Sequence, residues 1–513
     1  MDRTDHPQAR PTATLALVSM GLAYWAAHLV VLTRYGWFRD ELYYVACARR
    51  LAWGYVDHPP LSIAVLAVVR ALAGDSLVAV RLVPGLTGAC VVVLTGLMAR
   101  EMGASRFGQI LAAACIVAAP VFLFSTHIYS MNALDLLFWT AGALMLLVAL
   151  RRGGAAWLWF GALLGLGLLN KISILWLGGG LAAGLLLTPH RRRLATPWPW
   201  LGGALAGLFF APHLLWQVRT GWPTLEFMRN ATTEKMVPVG YGEFVKMQLD
   251  ALHPFTAPIW IGGLVFCLAL PRGRAWRIMG WIFLFVFLLL MTSGTARASY
   301  LSPAFPMMFA AGGVAWEGWL SGPRGRRLRP ALVAVLLAGF VIAAPFTLPV
   351  LPVDTLVRYA AALGVQPHQE EHSRLGRLPQ HYADMFGWEE LAATVAQVYD
   401  TLPPEDRARC VIFTENYGEA AALELFGPRY GLPPVISGHN NYWLWGPRGY
   451  TGAVVIAVGG DREDEEANFR EATLAARTAC GDCMAYENGL PIWLGRDLKT
   501  DLAALWPRLK QYE

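Results

Sequence analysis

Charge is what this sequence lacks. Only 15% of its 513 residues are Asp, Glu, Lys or Arg, while 56% are hydrophobic; a soluble domain carries roughly a quarter charged residues. The deficit is concentrated in residues 12–350, where apolar runs of about 20 residues recur, the length that a bilayer core of roughly 30 Å demands. This excludes a soluble globular chain and predicts a polytopic membrane protein. The formal charge of +6 comes from short basic loops, which suit topology control better than nucleic-acid binding. A cleavable signal peptide is also missing. The run Thr12–Leu32 is longer than an h-region, has no small-residue cleavage site before Arg34, and reads as a retained signal anchor. No internal repeat of solenoid length is found. There is no Walker loop, zinc signature or serine-nucleophile elbow. Gly165-Leu166-Gly167 lacks the preceding strand and third glycine of a nucleotide fingerprint and reads as helix packing. No cofactor is assigned, and a divalent cation is the one cofactor left open.

What is present is a ladder of apolar segments. After the first, at about 12–33, spans are expected at 78–100, 108–127, 131–150, 155–170, 171–188, 200–218, 254–271, 275–293, 300–319 and 330–350, about eleven at bilayer length. Between the first two, Asp40–Trp53 reads as an amphipathic helix and Leu61–Leu72 as a short apolar one lying in the interface. Arg151-Arg152, His190–Arg193, Arg272–Arg277 and Arg324–Arg329 are the basic loops. With a cytoplasmic N-terminus and the two halves of 155–188 counted separately, all of them fall in the cytoplasm, as the positive-inside rule requires.

After Pro352 charge returns. Residues 387–400 have helical periodicity, Cys410–Phe413 and Ala453–Val458 read as strands, Glu415–Phe426 and Glu463–Arg477 as helices, and Ile492–Leu494 as a strand. This predicts two domains: a transmembrane part, 1–351, and an extracytoplasmic α/β domain with a largely parallel sheet, 352–513. Of the seven cysteines, Cys47, Cys90, Cys115 and Cys267 lie in or beside apolar segments, where thiols pack. Cys480-Gly481-Asp482-Cys483 reads as a redox pair, half a metal site or a disulfide. Outside the cytoplasm the disulfide is favoured, with Cys410 as an alternative partner.

The chemistry gathers where apolar segments end on the extracytoplasmic side. Asp40 and Glu41 follow the first span; they are either a solvated interfacial pair with Arg39 or groups that face a cavity. Asp135 stands one turn into an apolar helix, beside Asn132 and His127, where a drier setting could make it a general base. His58 precedes two prolines that fix an extended turn. Lys171 lies between two spans as a snorkelling lysine or an anion ligand. These acids are expected to share one water-filled cavity. Nucleotide sugars are scarce outside a cytoplasm, so an enzyme there would draw on a lipid-phosphate-linked sugar. A carboxylate would deprotonate an acceptor hydroxyl, and His58 or Lys171 would stabilise the departing phosphate. Asn440-Asn441-Tyr442-Trp443-Leu444-Trp445 is a mixture of amides and aromatics suited to a sugar, or a packed loop.

Phe38-Arg39-Asp40-Glu41, Val56-Asp57-His58-Pro59-Pro60, Met131-Asn132-Ala133-Leu134-Asp135, Leu168-Leu169-Asn170-Lys171 and Tyr300–Pro306 occur in this order. The set resembles the protein mannosyltransferase-like superfamily, glycosyltransferase family 39 and its bacterial relatives, the group that includes the aminoarabinose transferase acting on lipid A. The resemblance spans about residues 15–320. It implies a GT-C fold and an inverting transfer from a polyprenyl-phosphate sugar in the inner membrane. Asp40 would be the base or acceptor-orienting group, with Glu41 in support and Asp135 completing the site. His58 stands where the lipid A branch usually has a lysine contacting the lipid phosphate, and the turn from Gly294 to Tyr300, with Arg297, matches a family turn near the lipid site.

Two other classes fit less of the sequence. A transporter would use the acids for proton coupling, yet its charges belong near the midplane of inverted repeats. A catalytically silent, acceptor-binding relative would not need the acid set. The predicted topology is open to a direct check: a reporter active only outside the cytoplasm, fused after Glu513, should be active. A silent fusion paired with an active cytoplasmic reporter would overturn the span count.

Overall fold

The computed structural model describes residues 11–366 and 376–513; the N-terminal stretch 1–10, expected in the cytoplasm, lies outside the described residues. The chain divides into two compact units. One takes residues up to Leu32, Arg81–Leu215 and Pro238–Leu351; the other takes Thr33–Val80, Trp216–Val237 and Pro352–Glu513.

The first unit is helical. Among the described residues, five helices of the chain are long and apolar enough to cross a membrane: Leu77–Glu101, Met131–Arg152, Pro197–Arg219, Pro271–Ser293 and Pro323–Phe346. The pair Tyr241–Leu252 and Pro254–Leu268, bent by 93°, gives a sixth if counted as one span; the bend falls at His253, whose φ is +53°. Other expected spans are shorter helices. That at 108–127 stops at Ala118, because Pro120 restarts the chain as the short helix Pro120–Ser125. The stretch 155–188 is two helices, Ala156–Asn170 and Ile174–Leu186, broken at Lys171.

Glycine sets how closely these helices pack. Phe305–Trp319 lies between Ala257–Leu268 and Arg106–Ala118. A Cβ on Gly312 would come within 2.2 Å of the Ile259 carbonyl oxygen, and one on Gly263 within 2.1 Å of that of Met308. On the next residue the third helix touches: a Cβ on Gly313 would lie 2.3 Å from the Gly108 carbonyl oxygen. Backbone therefore meets backbone, the contact that small residues permit where lipid removes the hydrophobic drive between helices. Leu111, Ile259, Met308 and Phe309 fill the spaces between and are fully buried.

The second unit is built on a five-stranded sheet in the order β2-β1-β3-β5-β4. The strands are β1 (Cys410–Thr414), β2 (Val435–Ser437), β3 (Val454–Val458), β4 (Phe469–Arg477) and β5 (Pro491–Leu498). β1 pairs in parallel with β2 and β3, whereas β5 is antiparallel to β3 and β4 to β5. The sheet is thus mixed, not largely parallel. The helix expected over Glu463–Arg477 ends at Asn468, and its second half is β4. Its alanines and glutamate favour a helix, but pairing with β5 decides the outcome, as propensity is a weak prior against tertiary context.

This unit also claims residues 33–80 and 216–237, which the sequence reading placed with the membrane part. The reason is a set of specific contacts. The helix Arg39–Ala48 packs on the helix Tyr417–Phe426. Glu424 on that helix accepts from Arg50 at 2.6 Å and from Arg448 at 2.9 Å. Burial alone would push the Glu424 carboxyl up, but the two guanidinium groups hold it below the ordinary carboxylate range. Arg50 also stacks over Trp445, 4.2 Å from the ring centre.

The glycine contact generates a prediction. Gly312→Val should prise Phe305–Trp319 from Ala257–Leu268 and destabilise the protein by about 1–3 kcal/mol or more, read as a lowered Tm in detergent. A variant as stable as the parent would mean that these backbones do not meet.

Candidate active site

In the helical unit one constellation forms around Asp135. Ser130 caps the Met131–Arg152 helix through the Asn132 amide, which sets Asp135 in its second turn, 1% exposed. The Ser173 hydroxyl lies 2.7 and 2.8 Å from the two Asp135 carboxylate oxygens, and Trp139 Nε1 donates to Ser173 Oγ at 3.3 Å. Lys171 Nζ stands 3.7 Å from Asp135 Oδ2 and donates to Asn132 Oδ1 at 2.7 Å. It also lies 5.4 Å from the centre of the Tyr300 ring. Arg297 caps the turn Ala298–Ala304 that carries Tyr300. Asp135, Asn132, Lys171 and Tyr300 are thus brought together, with Arg297 on the same turn. Ser173 belongs with them and was passed over, although it lies two residues from Lys171.

The second unit holds the other constellation. Phe38–Glu41 open the helix Arg39–Ala48. Glu41, expected in the catalytic set, is fully buried and accepts the Phe38 amide at 3.0 Å, a helix-capping contact. Asp40, one residue earlier, points elsewhere: its side chain is 36% exposed and accepts from the Tyr417 hydroxyl at 2.9 Å. Arg39 donates to Tyr486 Oη at 2.8 Å and pairs with Asp384 at 3.7 Å. Tyr417 could not have been found locally, since 377 residues separate it from Asp40.

His58 is fully buried within reach of the rings of Tyr43, Tyr44 and Tyr55. Its Nδ1 is 3.1 Å from the Pro59 carbonyl, which can only accept, so Nδ1 carries a proton. Its Nε2 is 3.7 Å from Asp57 Oδ1. Asp57 accepts from Tyr43 at 3.0 Å, and Asn441 donates to that tyrosine's oxygen at 2.6 Å. Burial pushes the Asp57 carboxyl above the ordinary range, His58 and Tyr43 pull it back, and the charge of Asp40 adds to the rise.

Three expectations need correcting. Tyr442 is a core residue, 1% exposed, with its hydroxyl on Glu424 at 3.1 Å. Trp443 exchanges indole-to-carbonyl hydrogen bonds with Trp506 at 2.9 and 3.0 Å; packing, not sugar, occupies both. Cys480 and Cys483 are free thiols, not a disulfide, and Cys410 is buried in β1. Among the described residues no three His, Cys, Asp or Glu side chains group so as to hold a metal ion.

Comparison with known proteins supplies the class. The family model described as dolichyl-phosphate-mannose-protein mannosyltransferase matches residues 57–216. Over these residues the chain is similar to the GT-C glycosyltransferases. Within that class it is 26% identical over 343 residues to the lipid A galacturonosyltransferase RgtD of Rhizobium johnstonii, a match covering 64% of this chain and 71% of the relative. The fold is similar to that of ArnT from Cupriavidus metallidurans. The match to the apo form has a TM-score of 0.63 at 16% identity and covers 94% of this chain and 97% of that one; the form bound to undecaprenyl phosphate gives 0.58 over the same shares.

The Asp135 contacts can be tested without an activity assay. Ser173→Ala removes the hydroxyl that both carboxylate oxygens share and should cost about 1–3 kcal/mol. In an Asp135→Asn background the same change should cost measurably less, because the two groups are coupled. Additive effects on Tm would show that the contact contributes nothing.

Proposed function

We propose that this protein is an inner-membrane glycosyltransferase that moves a sugar from a polyprenyl-phosphate donor to a hydroxyl of an extracytoplasmic acceptor, with inversion. The observation that carries the reading is the Lys171 ammonium, held in an apolar helical unit by Asp135 and Asn132 in a chain similar to this superfamily. An ionisable group in such surroundings marks a ligand path by default, and an ammonium suits a lipid phosphate. A structural neighbour, ArnT, was solved with undecaprenyl phosphate. RgtD is named for lipid A and galacturonic acid, which makes a glycolipid acceptor and a uronic acid donor the first substrates to try.

In this reading Asp40 serves the acceptor. It is the exposed carboxylate of its constellation, and Tyr417 fixes one of its oxygens. Its free lone pairs take the proton from the acceptor hydroxyl as that oxygen attacks the anomeric carbon. The bond from that carbon to the phosphate oxygen breaks on the opposite face, and the phosphate leaves with the electron pair. Lys171, Arg297 and the Tyr300 hydroxyl serve the donor by offsetting the charge that grows on the phosphate. Asp135 is the positioning residue of Lys171: it faces the ammonium at 3.7 Å, and the Ser173 hydroxyl holds its carboxylate in place. The span count of about eleven and the placement of residues 352–513 outside the cytoplasm belong to the same proposal.

Transfer from a polyprenyl-phosphate sugar in nanodiscs, run beside a donor-binding assay, tests the assignment. Asp40→Asn should retain donor binding and lose turnover by about 10² to 10⁴, the usual cost of removing a general base. Lys171→Gln should raise the donor concentration required. Near-normal turnover in Asp40→Asn, with parent and substrates working, would remove Asp40 from the role of base.

A further inference from the structure

The turn Cys480-Gly481-Asp482-Cys483 joins β4 to β5 in the second unit and takes no part in the transfer described above. Its two cysteines differ. Cys483 is buried at 4% exposure, whereas Cys480 is partly exposed. The Cys483 amide donates to Cys480 Sγ at 3.2 Å, and the Cys483 thiol donates to the Cys480 carbonyl at 3.1 Å. The Cys480 amide is in turn fixed by Asn488 Oδ1 at 3.0 Å. The spacing of two residues lets the Cα atoms approach within the roughly 7 Å that a disulfide needs.

The pair also lies against the N-terminus of the helix Trp388–Asp400. Gly387 is that helix's N-cap, and a Cβ placed on it would stand 3.2 Å from Cys480 Sγ and 3.3 Å from Cys483 Cβ. Helix amides and dipole favour a negative sulfur there. The charged groups around the turn are Glu390 in the helix's first turn, Glu487 beyond the turn, and Asp482, which pairs with Arg377 at 3.1 Å. The hydrogen bond from Cys483, joined by the backbone of Asp482 and Cys483, brings the Cys480 thiol down to about 7, against burial and Glu390. The Cys483 thiol is pushed far up, by that same contact and by burial.

We propose that Cys480 and Cys483 form a thiol–disulfide exchange site, with Cys480 the attacking thiolate and Cys483 the resolving thiol. The substrate class is an external disulfide. Cys480, having lost its proton, attacks one sulfur of that disulfide; the S–S bond breaks, a mixed disulfide forms, and the other sulfur leaves as a thiolate that takes up a proton. Cys483 then loses its proton and attacks Cys480 Sγ, closing the internal disulfide and expelling the second sulfur. The two cysteines give up two electrons and two protons, and the external disulfide receives both. An exposed low-pKa thiol backed by a buried one is the arrangement this exchange requires.

The test uses the full chain in detergent, equilibrated with glutathione and glutathione disulfide, quenched in acid, alkylated, and read by peptide mass spectrometry at Cys480 and Cys483. The oxidised-to-reduced ratio at these positions should move about tenfold for each tenfold change in the glutathione redox ratio. Cys483→Ser should accumulate a glutathione adduct on Cys480, while Cys480→Ser should leave Cys483 unmodified in the native protein. The alkylation rate of Cys480 should rise with pH about a midpoint near 7. Alkylation of both thiols at every ratio, a disulfide that ignores the ratio, or an adduct on Cys483 in place of Cys480 would each overturn the assignment.

Discussion

The polar chemistry of the helical unit depends on one buried contact, the Asp135 carboxylate held by the Ser173 hydroxyl and faced by the Lys171 ammonium. Moving an unpaired carboxylate into apolar surroundings costs several kcal/mol, so Asp135 could not stand one turn inside an apolar helix without these partners. Their supply explains a feature of the chain that hydropathy leaves ambiguous. The stretch 155–188 is apolar enough to run on, yet it breaks at Lys171, whose backbone turns extended. The break delivers two partners at once, since it presents Lys171 and sets Ser173 at the start of the next helix. Asn170, just before it, donates to the Met131 carbonyl at 2.9 Å and so ties the break to the first turn of the Asp135 helix.

The second unit solves a similar problem at the start of a different helix. Asp40 and Glu41 are neighbours with the same chemistry, and nothing in their types distinguishes them. Helix geometry does. The third residue of a helix can turn its carboxylate back onto the N-terminal amides, and Glu41 does so on Phe38. The residue before it points away, toward Tyr417 and solvent. Glu41 thereby fixes the helix start from which Asp40 projects.

What could be read from the sequence was what local pattern determines. Apolar runs gave the helices, helical periodicity gave Trp388–Asp400, and β-branched runs gave β1 and β3. The ordered motifs singled out Asp40, Asp135 and Lys171. What could not be read depends on partners far along the chain. Residues 33–80 read as two short helices between spans, and their contacts with Glu424, Tyr417 and Asn441 show why they fold with the sheet. The helix-forming composition of 469–477 concealed an edge strand. Tyr442 and Trp443 suggested a sugar platform by type, but Tyr442 is buried with its hydroxyl on Glu424 and Trp443 is tied to Trp506.

The placing of His58 turns on charge. In the resemblance a lysine at this position supplies a fixed positive charge to the lipid phosphate. Here the Pro59 carbonyl claims Nδ1, so any second proton must sit on Nε2, facing Asp57. Burial pushes the Asp57 carboxyl upward, and His58 and Tyr43 pull it back. In the helical unit Lys171 faces Asp135 and Asn132 and lies 5.4 Å from the centre of the Tyr300 ring, on a turn that Arg297 caps. His58 and its tyrosine cage hold the turn between the Asp40 helix and Leu61–Ala73.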